Sequence, residues 1–304
     1  MDKISIIAEI GWNHMGDMNL AEKKIKNASK NGADICKFQT WSVKNLKSGP
    51  WDEDGRKEVY KKAELTKEQH YKLKEICQQN NVKFLTSVFN QKDINFLSEL
   101  SPEMIKIPSH EINNYELISK SIDAFSIVII STGASKWEEI LKITNNLKMD
   151  NVVLMHCVSS YPCPAEQVNM KRMLELKKFA EIGYSGHQHG INDSILAISM
   201  GAKFIEKHFT DNNDRDGPDH PFSMNPKSWK SMIVSARRLE QSLGDGQKKI
   251  EDNEKDTVVL QRRSIRAKRQ IKKGEVITTE DFEFQRPCPQ DALKLNDFEK
   301  YIGK

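Results

Sequence analysis

EIGYSGHQHGINDSILAISMGAKFIEKHF, residues 181–209, is the stretch whose reading decides the fold. Its ends, EIGYSG (181–186) and KFIEKHF (203–209), are short, mainly apolar runs of strand length. Gly201 sits where a helix C-terminal stop belongs. Strand, helix and strand in this order make a unit whose two strands pair in parallel.

Outward from that unit the same rhythm fills the chain. ISIIAEIG (4–11), DICKFQT (34–40), VKFLTSV (82–88), MIKIPS (104–109), FSIVIIST (125–132) and VVLMHC (152–157) read as six further strands. NLAEKKIKNASKNG (19–32) and WEEILKITNNLK (137–148) have helical spacing. Eight such units in about 245 residues match an α/β protein of the (β/α)8 TIM-barrel class. Residues 1–245 are therefore assigned to the barrel and 246–260, charged and aperiodic, to a linker. Residues 261–304 form a small second domain, with SIRAKRQIKKGEVITTEDFEFQRP (264–287) reading as short strands around a turn at Gly274.

Composition narrows the function. A net charge of +4 over 304 residues gives no overall signal for nucleic-acid binding. The basic run RRSIRAKRQIKK (262–273) lacks interleaved aromatics and reads as a solvated or substrate-attracting face. No apolar run is long enough to span a bilayer, and no signal-peptide pattern opens the chain. The five cysteines are scattered without a C-x-x-C pair, which fits a reduced, cytoplasmic setting.

Nearly every strand ends in residues ill suited to a core: Glu9, Lys37 and Gln39, Thr86 and Ser87, Lys106 and Ser109, Ser131, His156 and Ser159, Ser185 and His187, Glu206 and His208. Barrel enzymes build their sites where the strands end. Lysines and hydroxyls converging there suit a phosphate or carboxylate ligand. Either His187 and His189, two apart, or His187 and His208, on neighbouring strands, could share an ion. Two imidazoles with water and substrate oxygens suit Mn2+ or Mg2+ better than zinc. His156 reads as a hydrogen-bonded core histidine. In the long loop 208–226, residues 211–216 read as solvated turns, while Asp219 is suited to a polyol hydroxyl.

AEIGWNHMGD (8–17), KFQT (37–40), KIPSHEINN (106–114), STG (131–133), HCVSSYP (156–162), YSGHQHG (184–190) and EKHFTDNNDRDGPDHPFSMNP (206–226) together resemble the sialic acid synthase family. Members condense phosphoenolpyruvate with an N-acetyl hexosamine, giving a nonulosonic acid and phosphate. The basic tail resembles the family's C-terminal antifreeze-like (SAF) domain, stopping about 20 residues short by its usual length. The resemblance implies His187 and His208 as ligands of a divalent metal, Mn2+ first and Mg2+ or Co2+ as alternatives. It implies Lys37, Lys106, Ser109, Ser131 and Ser185 for phosphoenolpyruvate, and Glu9 as an active-site carboxylate. Gln39, Glu111, Tyr161 and Asp219 fall on sugar contacts. Arg286 falls on an arginine that reaches the sugar bound by the other subunit of a homodimer. Two positions depart from the pattern: Gly186 replaces an aspartate and Ser159 an amide. The competing readings are a metal-dependent barrel hydrolase using His187 and His189, and a catalytically weak sugar-binding relative.

Overall fold

The computed structural model describes residues 3–304, which divide into two units, the first reaching to Gly244 and the second spanning Asp245–Lys304. Strands β1 (Ser5–Glu9), β2 (Ile35–Thr40), β3 (Lys83–Val88), β4 (Met104–Ile107), β5 (Ile127–Ser131), β6 (Val152–Cys157), β7 (Glu181–Gly186) and β8 (Phe204–His208) form the first unit's sheet. They close, all parallel and in chain order, into an eight-stranded barrel. This is the (β/α)8 architecture expected from the strand–helix rhythm.

The helices are α1 (Met18–Lys30), α2 (Arg56–Ala63), α3 (Lys67–Gln79), α4 (Ile94–Leu100), α5 (Tyr115–Ala124), α6 (Trp137–Asn146), α7 (Arg172–Leu176), α8 (Asn192–Ser199) and α9 (Pro226–Leu243). Local chemistry sets their ends. The Asp17 carboxylate accepts from the backbone N–H groups of Asn19 and Leu20 at the start of α1. Thr66 and Gln69 form a reciprocal capping box at α3. Gly32, at φ +93°, turns the chain after α1 in a conformation that suits glycine. The helix α2 lies outside the eight-unit rhythm, within a segment (41–66) that joins β2 to α3 and was not anticipated from sequence.

Two apolar layers hold the barrel. Ile7, Ile35, Leu85, Met104, Ile129, Val153 and Met155 fill its interior. Residues of the opposite strand faces, such as Ile6, Phe38, Ile105 and Ile205, pack with the helices, Trp229 of α9 among them.

The second unit contains α10 (Lys255–Gln261), so the stretch read as aperiodic linker is partly helical. Strands β9 (Ser264–Ala267) and β10 (Phe282–Gln285) pair antiparallel, and Gly274 (φ +87°) lies in their connection. Phe298 packs edge-on against Phe282 and Phe284, with centroid distances of 5.6 and 5.0 Å.

Candidate active site

The barrel interior changes character within one period of two. Two residues after inward-facing Ile7, Ile35, Leu85, Met104, Ile129 and Phe204 come Glu9, Lys37, Ser87, Lys106, Ser131 and Glu206. Each of these six lines a cavity of about 810 Å3 at the C-terminal end of the strands. A volume of this size suits small-molecule ligands.

Glu206 is the hub. Lys106 Nζ donates to its Oε2 at 2.8 Å, Ser185 Oγ to its Oε1 at 3.2 Å, and Lys37 Nζ lies 3.5 Å from Oε1. Lys37 also donates to Ser87 Oγ at 3.0 Å and stands 2.9 Å from Glu9 Oε2. That last contact is a buried ion pair. Gln39 Nε2 donates to Glu9 Oε1 at 2.5 Å. Two lysines and two glutamates, all buried, thus form a neutral quartet.

Burial opposes ionisation of Glu206, but Lys106 and Lys37 outweigh it and hold the carboxyl at about 2. Burial raises the Glu9 carboxyl in spite of Lys37. It lowers Lys106, whereas Glu206 and Glu9 together overcome it at Lys37 and raise that amine.

A hydroxyl cradle adjoins the quartet. Gly133 N donates to Ser109 Oγ at 3.1 Å, and Ser109 Oγ lies 3.1 Å from Cys157 Sγ. A Cβ on Gly133 would stand 2.5 Å from Ser159 Oγ, 2.7 Å from Cys157 Sγ and 2.9 Å from Ser109 Oγ. Only glycine leaves this corner open.

His187 and His208 approach each other across the mouth, their ring centroids 5.6 Å apart. The Nδ1 of His187 lies 2.7 Å from Val158 O; a carbonyl only accepts, so Nδ1 carries the proton and Nε2 keeps its lone pair. Burial, followed by His208, lowers His187 to about 3, so the ring is neutral at pH 7. His208 Nδ1 is buried 3.1 Å from Asp219 Oδ2 but makes no aligned hydrogen bond. Asp219 nevertheless overcomes burial and raises His208. These donors fit a divalent ion held by two imidazoles: the tautomer of His187 leaves its Nε2 lone pair available, and a carboxylate beside one ring nitrogen, as Asp219 is beside His208 Nδ1, suits ligation through the other. Among the described residues no group of three or more His, Cys, Asp or Glu is disposed around a metal. Further ligands would come from water or substrate.

Glu9, Lys37, Gln39, Lys106, Ser109, Glu111, Ser131, Tyr161, Ser185, His187, His208 and Asp219 all line this one cavity. Arg286 does not; it is an exposed residue of the second unit. His189 is exposed beyond β7 and outside the lining, so the geometry pairs His187 with His208. His156 is buried with Nε2 2.6 Å from Val168 O, a core histidine.

The family model described as the NeuB family matches residues 24–248. The chain belongs to the NeuB family. This NeuB-family chain is 35% identical to the N,N'-diacetyllegionaminic acid synthase of Campylobacter jejuni, covering 100% of the chain and 96% of that protein. It is 33% identical to a pseudaminic acid synthase of C. jejuni, covering 99% and 92%. The crystal structure of N-acetylneuraminic acid synthetase from Leptospira borgpetersenii, in complex with citrate, superposes with a TM-score of 0.76 at 32% identity, covering 84% of this chain and 90% of that one. The motif resemblance to sialic acid synthases thus holds, and the NeuB-family chain is an enzyme of that type.

One further expectation is corrected. Residues 211–216 are not simply solvated: Asp211 is buried against Lys24 at 2.6 Å, Lys23 at 3.0 Å and Arg215 at 2.7 Å. At position 186, where the family pattern has an aspartate, Gly186 leaves space that a carboxylate oxygen of Asp193 occupies. Sequence reading gave Glu206 no role, although its spacing of two from His208 already puts both on one face. The aromatic wall was also missed. Trp12, Trp41 and Tyr60 pack with centroids 5.3 to 5.9 Å apart, and with Trp51 and Phe89 they line the cavity. Two tryptophans and a tyrosine in the one long segment 41–66 were the available signal.

Proposed function

We propose that this enzyme condenses phosphoenolpyruvate with an N-acyl hexosamine, either N-acetylmannosamine or its 2,4-diacetamido-6-deoxy analogue, to give a nonulosonic acid and inorganic phosphate. The observation that carries the reading is the buried Lys37–Lys106–Glu206–Glu9 quartet beside the open Gly133 cradle. In this reading the lysines exchange part of their carboxylate pairing for the phosphate and carboxylate of phosphoenolpyruvate. Ser109, Ser131 and Ser185 add hydroxyl contacts to the same anion. Gln39, Glu111, Tyr161 and Asp219 orient the sugar, while the aromatic wall excludes water from its acyl group.

Carbon C3 of phosphoenolpyruvate forms the new bond to the aldehyde carbon of the open-chain sugar. Water adds at C2, and phosphate departs with cleavage of its C–O bond, so no oxidant or reductant is needed. Glu9, a buried carboxyl raised by its burial and paired through Oε2 with Lys37, is our candidate to take the proton of that water. His187 and His208 would hold a divalent cation, Mn2+ in our reading, which when bound supplies Lewis acidity at the aldehyde oxygen. The reading also includes a homodimer in which Arg286 contacts the acyl group of a sugar bound by the partner subunit; motif resemblance alone supports this part. Among the described residues no helix is long and apolar enough to cross a membrane.

The test is phosphate release from phosphoenolpyruvate in the presence of Mn2+ and each sugar in turn. Release with one of the two, matched by formation of the nonulosonic acid, supports the proposal. No release with either refutes it.

A further inference from the structure

We infer that Asp193 is a positioning residue which, acting through Lys207, fixes the segment that carries His187. The inference rests on the proposed reaction only in treating His187 as a site residue, and it concerns groups behind the sheet.

Alternation on the last two strands aims Ser185, His187, Glu206 and His208 inward, so Tyr184, Gly186 and Lys207 face the helices. Beneath them lies the first turn of α8, where the Asp193 side chain is 1% exposed. The Lys207 ammonium is buried as well. It donates to Asp193 Oδ2 at 2.9 Å and to the backbone oxygen of Gln188 at 2.6 Å. Tyr184 Oη donates to the same Oδ2 at 3.0 Å. Gln188 directly follows His187. Two other restraints act on that histidine: its carbonyl accepts from Cys163 N at 3.0 Å, and its Nδ1 donates to Val158 O. Lys207 supplies the third, from behind. It also sits one residue before His208, so a single buried pair ties both histidine-bearing strands to α8.

Gly186 belongs to the same device. A Cβ built there would lie 2.5 Å from Asp193 Oδ2, 2.6 Å from Tyr184 Cε1 and 3.0 Å from Lys207 Cδ. Within an aspartate, Cβ and a carboxylate oxygen are about 2.4 Å apart by standard bond lengths. The Asp193 oxygen therefore sits at the distance an aspartate at 186 would give its own. A side chain at 186 and the carboxylate of Asp193 compete for one space, and here the helix supplies the charge that the strand does not. A buried lysine deprived of that charge loses its reason to stay under the loop.

The test uses the full-length chain and three variants: Asp193→Asn, Asp193→Asn/Lys207→Met, which is neutral and keeps volume, and Gly186→Ala, which displaces the carboxylate sterically. Hydrogen exchange is followed at amides 187–191, beside Mn2+ titration calorimetry and the kcat and KM for phosphoenolpyruvate. We expect exchange at 187–191 to quicken about tenfold, with Mn2+ affinity and kcat falling by about tenfold and KM within about twofold. The cooperative melt should be retained in at least the neutral double variant. Unchanged exchange at 187–191 in the folded variants would overturn the inference, as would a loss of kcat matched by equal acceleration of exchange throughout the barrel. If the wild-type chain takes up no Mn2+, the metal reading falls, while loop exchange and kcat still decide the role of Asp193.

Discussion

Asp211→Asn should destabilise the barrel far more than its position in a polar loop suggests. Lys24, on α1, has a fully buried side chain, and Asp211 is the carboxylate that faces it, at 2.6 Å. The other contact of its ammonium is Thr210 Oγ1 at 3.4 Å. Amidation leaves a buried cation without an anion, a change that costs about 3–5 kcal/mol when one partner of a buried pair is removed. For a domain of this size that corresponds to roughly 6–20 °C in Tm. Burial disfavours the Asp211 carboxylate, but Arg215, Lys24 and Lys23 outweigh it and hold the group well below the ordinary aspartate range. A folded-state pKa below the unfolded one stabilises the fold above about 3.9, the unfolded value, and the contribution fades as pH falls through the folded value. Thermal melts of wild type and variant should therefore differ by a constant amount from pH 8 to pH 5 and converge below about pH 4. Adding Lys24→Met, which removes the stranded cation, should restore most of the loss. A shift at pH 7 worth less than about 1 kcal/mol, or a double variant no more stable than the single, would refute the reasoning.

Gly133→Ala places a methyl group among Ser109, Cys157 and Ser159, so kcat/KM for phosphoenolpyruvate should fall about 100-fold in steady-state assays, with a stability loss of only about 1–3 kcal/mol from overpacking. Lys106→Met should raise KM for phosphoenolpyruvate by about 10- to 100-fold, the worth of a charge-assisted hydrogen bond, with less effect on KM for the sugar. His187→Ala should abolish Mn2+-dependent turnover, whereas His189→Ala, altering an exposed side chain, should keep most of it; equal losses would return the metal to the pair within one motif. Asn225→Ala removes the acceptor for Ser228 N at the start of α9 and should cost about 1 kcal/mol in urea denaturation.

Sequence alone determined the barrel and most of the residues at its mouth. Strands buried on both faces read as continuous apolar runs, and their ends announce themselves because a lysine or glutamate there has no place in a core. EIGYSG matches β7 residue for residue, and DICKFQT exceeds β2 by one. The insertion at 41–66 was not anticipated, since its Trp41 packs with Trp12 and Phe89 rather than in a periodic face. Tertiary structure decided which polar strand ends meet. Closure of β8 on β1 sets Glu9 opposite His208, and Lys106 reaches Glu206, a hundred residues away, across the interior. Packing of α8 on β7 and β8 resolved Gly186: a missing side chain on the strand is matched by a carboxylate arriving from the helix. Alternation along a strand fixes which way a side chain faces, whereas what it meets depends on the stagger of neighbouring strands and helices, which no local pattern encodes.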